Sequence, residues 1–339
     1  MKIRITQLDG KLPNLALMRL SHHHRSLGHD VHFTRSPYRH LGEPDYDTVY
    51  GSVIFDYSRS HVDRLRAEFP GAIIGGTASG SIQTVEDIIG PGDGHSYADY
   101  PDFTASLGFT QRGCRLSCKF CVVPQKEGKP RSVATISQIW RGPGFPKHIH
   151  LLDNDFFGQP EPQWRALIDE IADGGFKVCL NQGINVRLMT PDVAASLARI
   201  DYRDDGFKTK RLYTAWDNLK DEDVFFRGVD LLETAGVRPS NLMAYMLIGF
   251  DKRETWERLF HRFNRMAARG IRPYPMVYGD RHRTIPLGGH NARISHRTLS
   301  EFQRWVIRKA YTFTLFENYD VNAKGHAEPP TGDLFATAD

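Results

Sequence analysis

Cys114, Cys118 and Cys121 stand in one run, Cys114-Arg115-Leu116-Ser117-Cys118-Lys119-Phe120-Cys121. Three thiolates at this spacing fit one short loop and can serve as metal ligands. A [4Fe–4S] cluster held wholly by cysteine takes four of them; with three, one iron stays open to bind and activate another molecule. Such a loop would be a reaction centre. Structural zinc instead wants four ligands, usually as two separated pairs. Only Cys179 remains, with no partner at pair spacing, and His148 and His150 alternate as residues on one strand face do. Spacing alone does not choose between iron–sulfur, zinc and three unrelated thiols.

The elements around the run say more. Leu107–Gln111 reads as a strand feeding directly into the cysteine loop, and five further strands follow: His148–Leu152, Lys177–Asn181, Arg211–Ala215, Leu242–Ile248 and one around Tyr274–Tyr278. Helices are expected between them. Trp164–Ile171 carries Trp164, Leu167, Ile168 and Ile171 on one face, and Thr190-Pro191-Asp192 is a capped helix start. Gly236 suits the position after the helix that opens near Asp221, and Glu254–Arg269 shows Trp256, Leu259, Phe260, Phe263 and Met266 at core spacing. Six β/α units in series predict a parallel sheet curling into a partial or full barrel, with chemistry at the carboxyl ends of the strands. The cysteine loop sits at such an end.

Before this region, Lys2–Thr6, Val31–Phe33, Thr48–Phe55 and Ala72–Ile74 read as strands, with helices over Leu12–Leu27 and Ser58–Phe69. That alternation predicts a small parallel α/β unit. Gly90-Pro91-Gly92-Asp93-Gly94 suits a linker, which puts a boundary between about 90 and 103. His22-His23-His24 lies in a predicted helix, where consecutive residues diverge, so it reads as solvated or partly packed rather than as a metal site. At the other end, Leu299–Phe316 is expected to be a helix with Phe302, Trp305, Val306 and Phe313 buried. The tail from Asn322, with Gly325, Pro329 and Pro330, is expected to be loosely ordered.

The chain has 339 residues and a formal net charge of +4, compatible with an anionic partner but equally with ordinary surface solvation. No apolar stretch is long enough to span a membrane, and Met-Lys-Ile-Arg-Ile-Thr lacks a signal-peptide core. Four cysteines, three of them clustered, make no disulfide framework, so a reducing cytoplasm is the expected home.

With Gly108-Phe109-Thr110-Gln111-Arg112-Gly113 leading into Cys114-x3-Cys118-x-Phe120-Cys121, the chain resembles the radical S-adenosylmethionine superfamily. It looks most like the group whose barrel follows a cobalamin-binding-type domain. The resemblance spans most of residues 1–280. It implies a Rossmann-like domain over 1–95, a partial (β/α)6 barrel over 103–280, and a C-terminal helix and tail over 281–339. It also implies that Cys114, Cys118 and Cys121 hold three irons of a [4Fe–4S] cluster whose fourth iron chelates S-adenosylmethionine. One electron from the cluster then cleaves a carbon–sulfur bond, giving methionine and a 5′-deoxyadenosyl radical that abstracts hydrogen from a substrate.

By the same resemblance Phe120 lies beside adenine, and Asp153 or Asp155 meets the ammonium of S-adenosylmethionine, although Asp153-Asn154-Asp155 departs from the usual Gly-Gly-Glu. Arg187 is the matching partner for the methionine carboxylate. Ile248 and Gly249 offer backbone to adenine, and Asp217 faces ribose or substrate. An electron donor of flavodoxin or ferredoxin type is implied. Members that transfer methylthio groups carry three further cysteines in the N-terminal domain, and this one has none. The Asp-x-His-x-x-Gly signature for cobalt ligation is also missing, which favours a degenerate structural domain over cobalamin binding.

Three functions follow as expectations. Radical hydrogen abstraction leads, and cobalamin-dependent radical methyl transfer is the alternative within the superfamily. From another class comes a non-catalytic metal-binding protein associated with nucleic acid through Arg281, His282, Arg283, Arg293, Arg297, Arg304, Arg308 and Lys309, although such scattered charges usually form a solvated face. The substrate is not legible. The Pro124–Arg131 loop, Tyr245, Tyr278 and Arg281 are expected to border its cavity, and Lys126, Lys129 and Arg131 hint at an anionic group.

Overall fold

A computed structural model describes residues 1–92 and 94–322. The expected loose tail at Gly325, Pro329 and Pro330, and Asp93 of the expected linker, lie outside the described residues. The chain divides into two compact units, Met1–Thr104 and Ala105–Asp339.

In the first unit β1 (Lys2–Gln7), α1 (Leu15–Ser26), β2 (Asp30–Thr34), β3 (Thr48–Ser52), α2 (Arg59–Glu68), β4 (Ile73–Gly75) and the short α3 (Val85–Ile89) follow one another. The four strands form a parallel sheet in the order β2-β1-β3-β4. Strand residues alternate between faces, and both faces are covered. Ile3, Ile5 and Tyr50 pack against Leu17 and Leu20 of α1. Val49 and Val53 pack with Val62 and Leu65 of α2 and with Ile74. Leu15, the first residue of α1, and Leu27, just past its end, stay out of its buried set, which is Leu17, Met18, Arg19, Leu20, Ser21 and His24. Of the three consecutive histidines only His24 is buried; its ring nitrogens meet His29 Nδ1 at 2.9 Å and the Tyr50 hydroxyl at 3.1 Å.

The second unit contains β5 (Ser106–Gly108), β6 (Gln111–Arg112), α4 (Val123–Glu127), β7 (Arg131–Ser132), α5 (Ile136–Ile139), β8 (His148–Leu151), α6 (Glu161–Gly174), β9 (Lys177–Leu180), α7 (Pro191–Arg199), β10 (Asp201–Tyr202), β11 (Leu212–Ala215), α8 (Glu222–Thr234), β12 (Leu242–Ile248), α9 (Trp256–Ala268), β13 (Arg272–Val277) and α10 (Leu299–Ile307). The expectation of a mixed α/β fold with parallel sheets is met. The six anticipated strands appear as β5, β8, β9, β11, β12 and β13, but they do not form one continuous ladder. One parallel sheet runs β10-β9-β8-β5 and another β11-β12-β13.

The physical reason for the break is β10, which pairs through Asp201 and Tyr202 with the start of β9 and takes up that part of its edge. Further along, Gly183 and Ile184 bridge the gap. The Ile184 amide donates to the Tyr213 carbonyl at 2.8 Å, and the Thr214 hydroxyl donates to the Ile184 carbonyl at 3.1 Å. Helices α6 to α9 bury Trp164, Ile168, Leu197, Phe225, Leu232, Leu259 and Phe263 with Ile149, Val178, Leu212, Ala244 and Met246 of the strands. His148 and His150 share the opposite strand face, both against Phe207, and Cys179 is buried beside them as His150's register partner.

The last helix is shorter than its pattern suggests. α10 stops at Ile307 because Lys309 turns into the left-handed region at φ 54°, and two short 3₁₀ turns follow. The chain therefore buries Phe316 instead of Phe313, which is 60% exposed. Among the described residues no helix is long and apolar enough to cross a membrane.

His24 gives the first unit a pH dependence. Burial lowers its pKa from 6.5 to about 4, and the neighbouring His23 and His29 act in the same direction. Between these values the unfolded chain binds the extra proton, so the stabilisation is full above pH 6.5 and is lost as pH falls towards 4. Thermal unfolding followed from about pH 7.5 to about pH 4.5 should show a steeper fall in Tm for the wild type than for His24→Gln. Parallel profiles would refute this.

Candidate functional site

Thr110 and Gln111 end β5 because their amides turn away from the ladder to a carboxylate. Asp153, just past β8, accepts from the Thr110 amide at 2.7 Å and the Gln111 amide at 3.1 Å, and also from the Thr110 hydroxyl. The group is buried, which pushes its carboxyl up to about 7 against the pull of those donors. The anticipated strand Leu107–Gln111 is thus cut to Ser106–Gly108. Gln111 and Arg112 instead pair antiparallel with Ser132 and Arg131, and this ribbon closes the base of an excursion holding all three cysteines.

Three side chains fasten the excursion. Gln111 Nε2 donates to the Arg112 and Gly113 carbonyls at 2.7 and 2.8 Å, while its Oε1 accepts from the Asp155 amide at 2.9 Å. Glu127 accepts from the Gly113 amide at 3.2 Å and from Asn154 at 2.7 Å, and it pairs with Arg112 at 3.1 Å. Asp155 holds Arg115 through two parallel bonds of 2.7 and 2.8 Å and also accepts from the Arg115 amide. At Gly113 the backbone turns left-handed, φ 81°, and a Cβ would run into the Lys129 carbonyl.

Cys114, Cys118 and Cys121 are partly exposed and free of disulfides. Burial raises the Cys114 and Cys121 thiols. The opposing effects are amide hydrogen bonds from Leu116 and Val123 respectively, and the charges of the other cysteines add to the rise. For Cys121, Asp217 and Glu127 contribute as well.

The ends of three further strands face this loop. After β9, Arg187 pairs with Asp221 at 3.1 Å and reaches the Cys118 sulfur at 3.9 Å. After β11, Asp217 accepts from the Leu247 amide at 3.0 Å. After β12, Phe250 meets the Phe120 ring edge-on at 5.4 Å, and Phe250 in turn meets Tyr278. Ile248 is fully buried, and the Gly249 amide and carbonyl are taken by Glu254 and Arg283. Asp155, Arg187, Asp217 and Phe120 thus lie around the cysteines, whereas Asp153 is turned into the core.

Arg262 and Glu254 carry no signal of chemistry in the sequence, yet they tie the ends of β11 and β12 together. Arg262, 2% exposed, donates to the carbonyls of Trp216, Asp217 and Leu247 at 3.1 Å each and pairs with Glu254. The available signal was an arginine three residues after Leu259 on a buried helix face. Gln111, Arg115 and Glu127 were also missed, because their roles depend on partners far along the chain.

The donor set is, by its chemistry, that of an iron–sulfur cluster held at three corners: three thiols free of disulfides on one loop. Among the described residues no three His, Cys, Asp or Glu side chains converge as the ligands of one metal ion would. In the second unit Arg281, Arg283, Arg293 and Arg297 bond within the protein, to Gln303, Gly249, Glu317 and Glu301.

The first unit has its own crevice, where the strand order reverses between β1 and β3, the usual ligand position in such sheets. Here the chain fills it. Asp9 accepts from the Ile54 and Phe55 amides at 2.9 Å, and Asn14 donates to Ser52 at 2.9 Å. Tyr100 donates to Gln7 at 2.8 Å. The Asp9 carboxylate and its two amide partners thus occupy the space between the ends of β1 and β3.

Over 110 residues the chain is 32% identical to the tRNA-2-methylthio-N(6)-dimethylallyladenosine synthase of Opitutus terrae, covering 26% of this chain and 23% of that protein. The chain therefore spans less than a quarter of that relative's length. No protein-family model matches the chain. The likeness supports the radical S-adenosylmethionine superfamily as the general class and nothing finer.

Gly113→Ala tests how the loop is fastened. The strained backbone should cost about 1–3 kcal/mol, read as a lower urea midpoint, and protease nicking should increase between Gly113 and Arg131. An unchanged midpoint with no new cleavage would show that the turn is not required.

Proposed function

We propose that this chain is a radical S-adenosylmethionine enzyme acting by hydrogen abstraction on a substrate not yet identified. The carrying observation is the three-cysteine loop, with Phe120 on it, faced by Asp155, Arg187, Asp217 and Phe250 from the ends of parallel strands. When bound, the [4Fe–4S] cluster supplies the electron that cleaves S-adenosylmethionine to methionine and a 5′-deoxyadenosyl radical.

The residues have distinct tasks in this reading. Cys114, Cys118 and Cys121 hold three irons. Asp155, through Arg115, keeps the loop over the strand ends; it lies on the loop's side and would meet an ammonium by exchanging part of its bond to Arg115, whereas Asp153 is bound to Thr110 and Gln111. Arg187 offers a guanidinium beside Cys118 for a carboxylate, exchanging part of its bond to Asp221. Phe120 and Phe250 form an aromatic wall that excludes water from the flanking volume. In this reading the free thiols call for a reducing compartment, and the cluster, when bound, for an electron donor of flavodoxin or ferredoxin type.

Anaerobic reconstitution with iron and sulfide should load the wild type, and S-adenosylmethionine with dithionite should then release 5′-deoxyadenosine. Cys118→Ser should lose most of its iron and acid-labile sulfide. A wild type with about one zinc per chain, no labile sulfide and no 5′-deoxyadenosine would overturn the reading.

The filled crevice supports a structural role for the first unit instead of cobalamin-dependent methyl transfer. Protein mixed with hydroxocobalamin should emerge colourless from gel filtration. Stoichiometric retention would overturn that assignment.

A further inference from the structure

Arg262 occupies a position on α9 where burial alone favours an apolar side chain, among Leu259, Phe263 and Met266. A guanidinium withdrawn from water must be matched by acceptors, and every acceptor it has leads to the candidate site. Its planar fork spans the Trp216 and Asp217 carbonyls on one strand end and the Leu247 carbonyl on the next. Its ion-pair partner Glu254 takes the Gly249 amide, and Leu247 donates back to the Asp217 carboxylate. Beyond the ladder between β11 and β12, Asp217 and Gly249 are therefore joined through one buried cation.

Resting on the proposed function, we infer that Arg262 is a positioning residue of the S-adenosylmethionine site, fixing Asp217 and Gly249 relative to each other for the nucleoside end of that molecule. A purely structural ion pair needs the charge; this role needs the fork. Lysine keeps the charge but has three donors on one nitrogen and no plane, so it cannot span both strand ends and Glu254 together.

Arg262→Lys separates the two roles. The variant should fold and take up iron and sulfide like the wild type. In the unloaded full-length protein the Leu247 and Gly249 amides should exchange with solvent about tenfold faster, and after loading the dissociation constant for S-adenosylmethionine should rise about tenfold or more. Glu254→Gln, which keeps an oxygen for only one of the two donors, should move both readouts the same way and less far, and it serves if the lysine variant does not fold. Unchanged exchange, or faster exchange with S-adenosylmethionine affinity within about twofold of wild type, would overturn the inference. A wild-type chain that takes up no cluster would instead remove the proposed function, and this inference with it, before any variant is compared.

Discussion

The carboxylate of Asp153 is the constraint on which the second unit's site depends. A parallel strand continues as long as its amides have ladder partners, and here two amides are offered a buried anion instead. The chain leaves the sheet at Thr110 because that exchange satisfies its donors. Everything after it follows: the turn at Gly113, the ribbon with Arg131 and Ser132, and a cysteine excursion anchored at both ends. The same carboxylate also joins the carboxyl ends of β5 and β8, so the cysteines and Asp155 are placed by one interaction.

Charge around the loop is settled locally. Arg115 answers Asp155, Arg112 answers Glu127, Arg187 answers Asp221, and Arg262 answers Glu254. Closed pairs of this kind hold their partners in place before any ligand arrives, which limits the reorganisation left for the moment of reaction. Partly exposed pairs contribute little to stability by themselves. Their value is geometric, since each fixes a segment beside the cysteine loop or a strand end.

Strands were the most legible part of the fold. Leu242–Ile248 stands as its apolar run suggests, because a strand buried on both faces has no polar alternation to blur its limits. The helix start capped by Thr190 was equally plain, whereas the helix expected from Glu254 begins at Trp256, capped by Thr255. What escaped was set by distant partners. Phe313 and Phe316 are both aromatic and near a helical stripe, and only the turn at Lys309 decides between them. Asp153 and Asp155 look alike in sequence, yet one meets Thr110 and the other Arg115, each about forty residues away. Arg262 was hidden because periodicity marks its face as buried and says nothing of the carbonyls waiting there.

The gap between β9 and β11 has a mechanical consequence. Within each half of the second unit the strands are stitched by ladders, whereas across the gap, among the described residues, isolated bonds take their place: the Ile184 amide to Tyr213, the Thr214 hydroxyl to Ile184, the Tyr245 hydroxyl to the Asn181 carbonyl and the Asn241 amide group to the Tyr202 hydroxyl. Stiffness in a sheet comes from many parallel bonds loaded together, so deformation concentrates where they are fewest. The second unit behaves as two stiff staves joined by a compliant seam, with Gly183 at the joint. Widening its interior for a bulkier guest costs least by parting the staves there, leaving the cysteine loop and its strand intact.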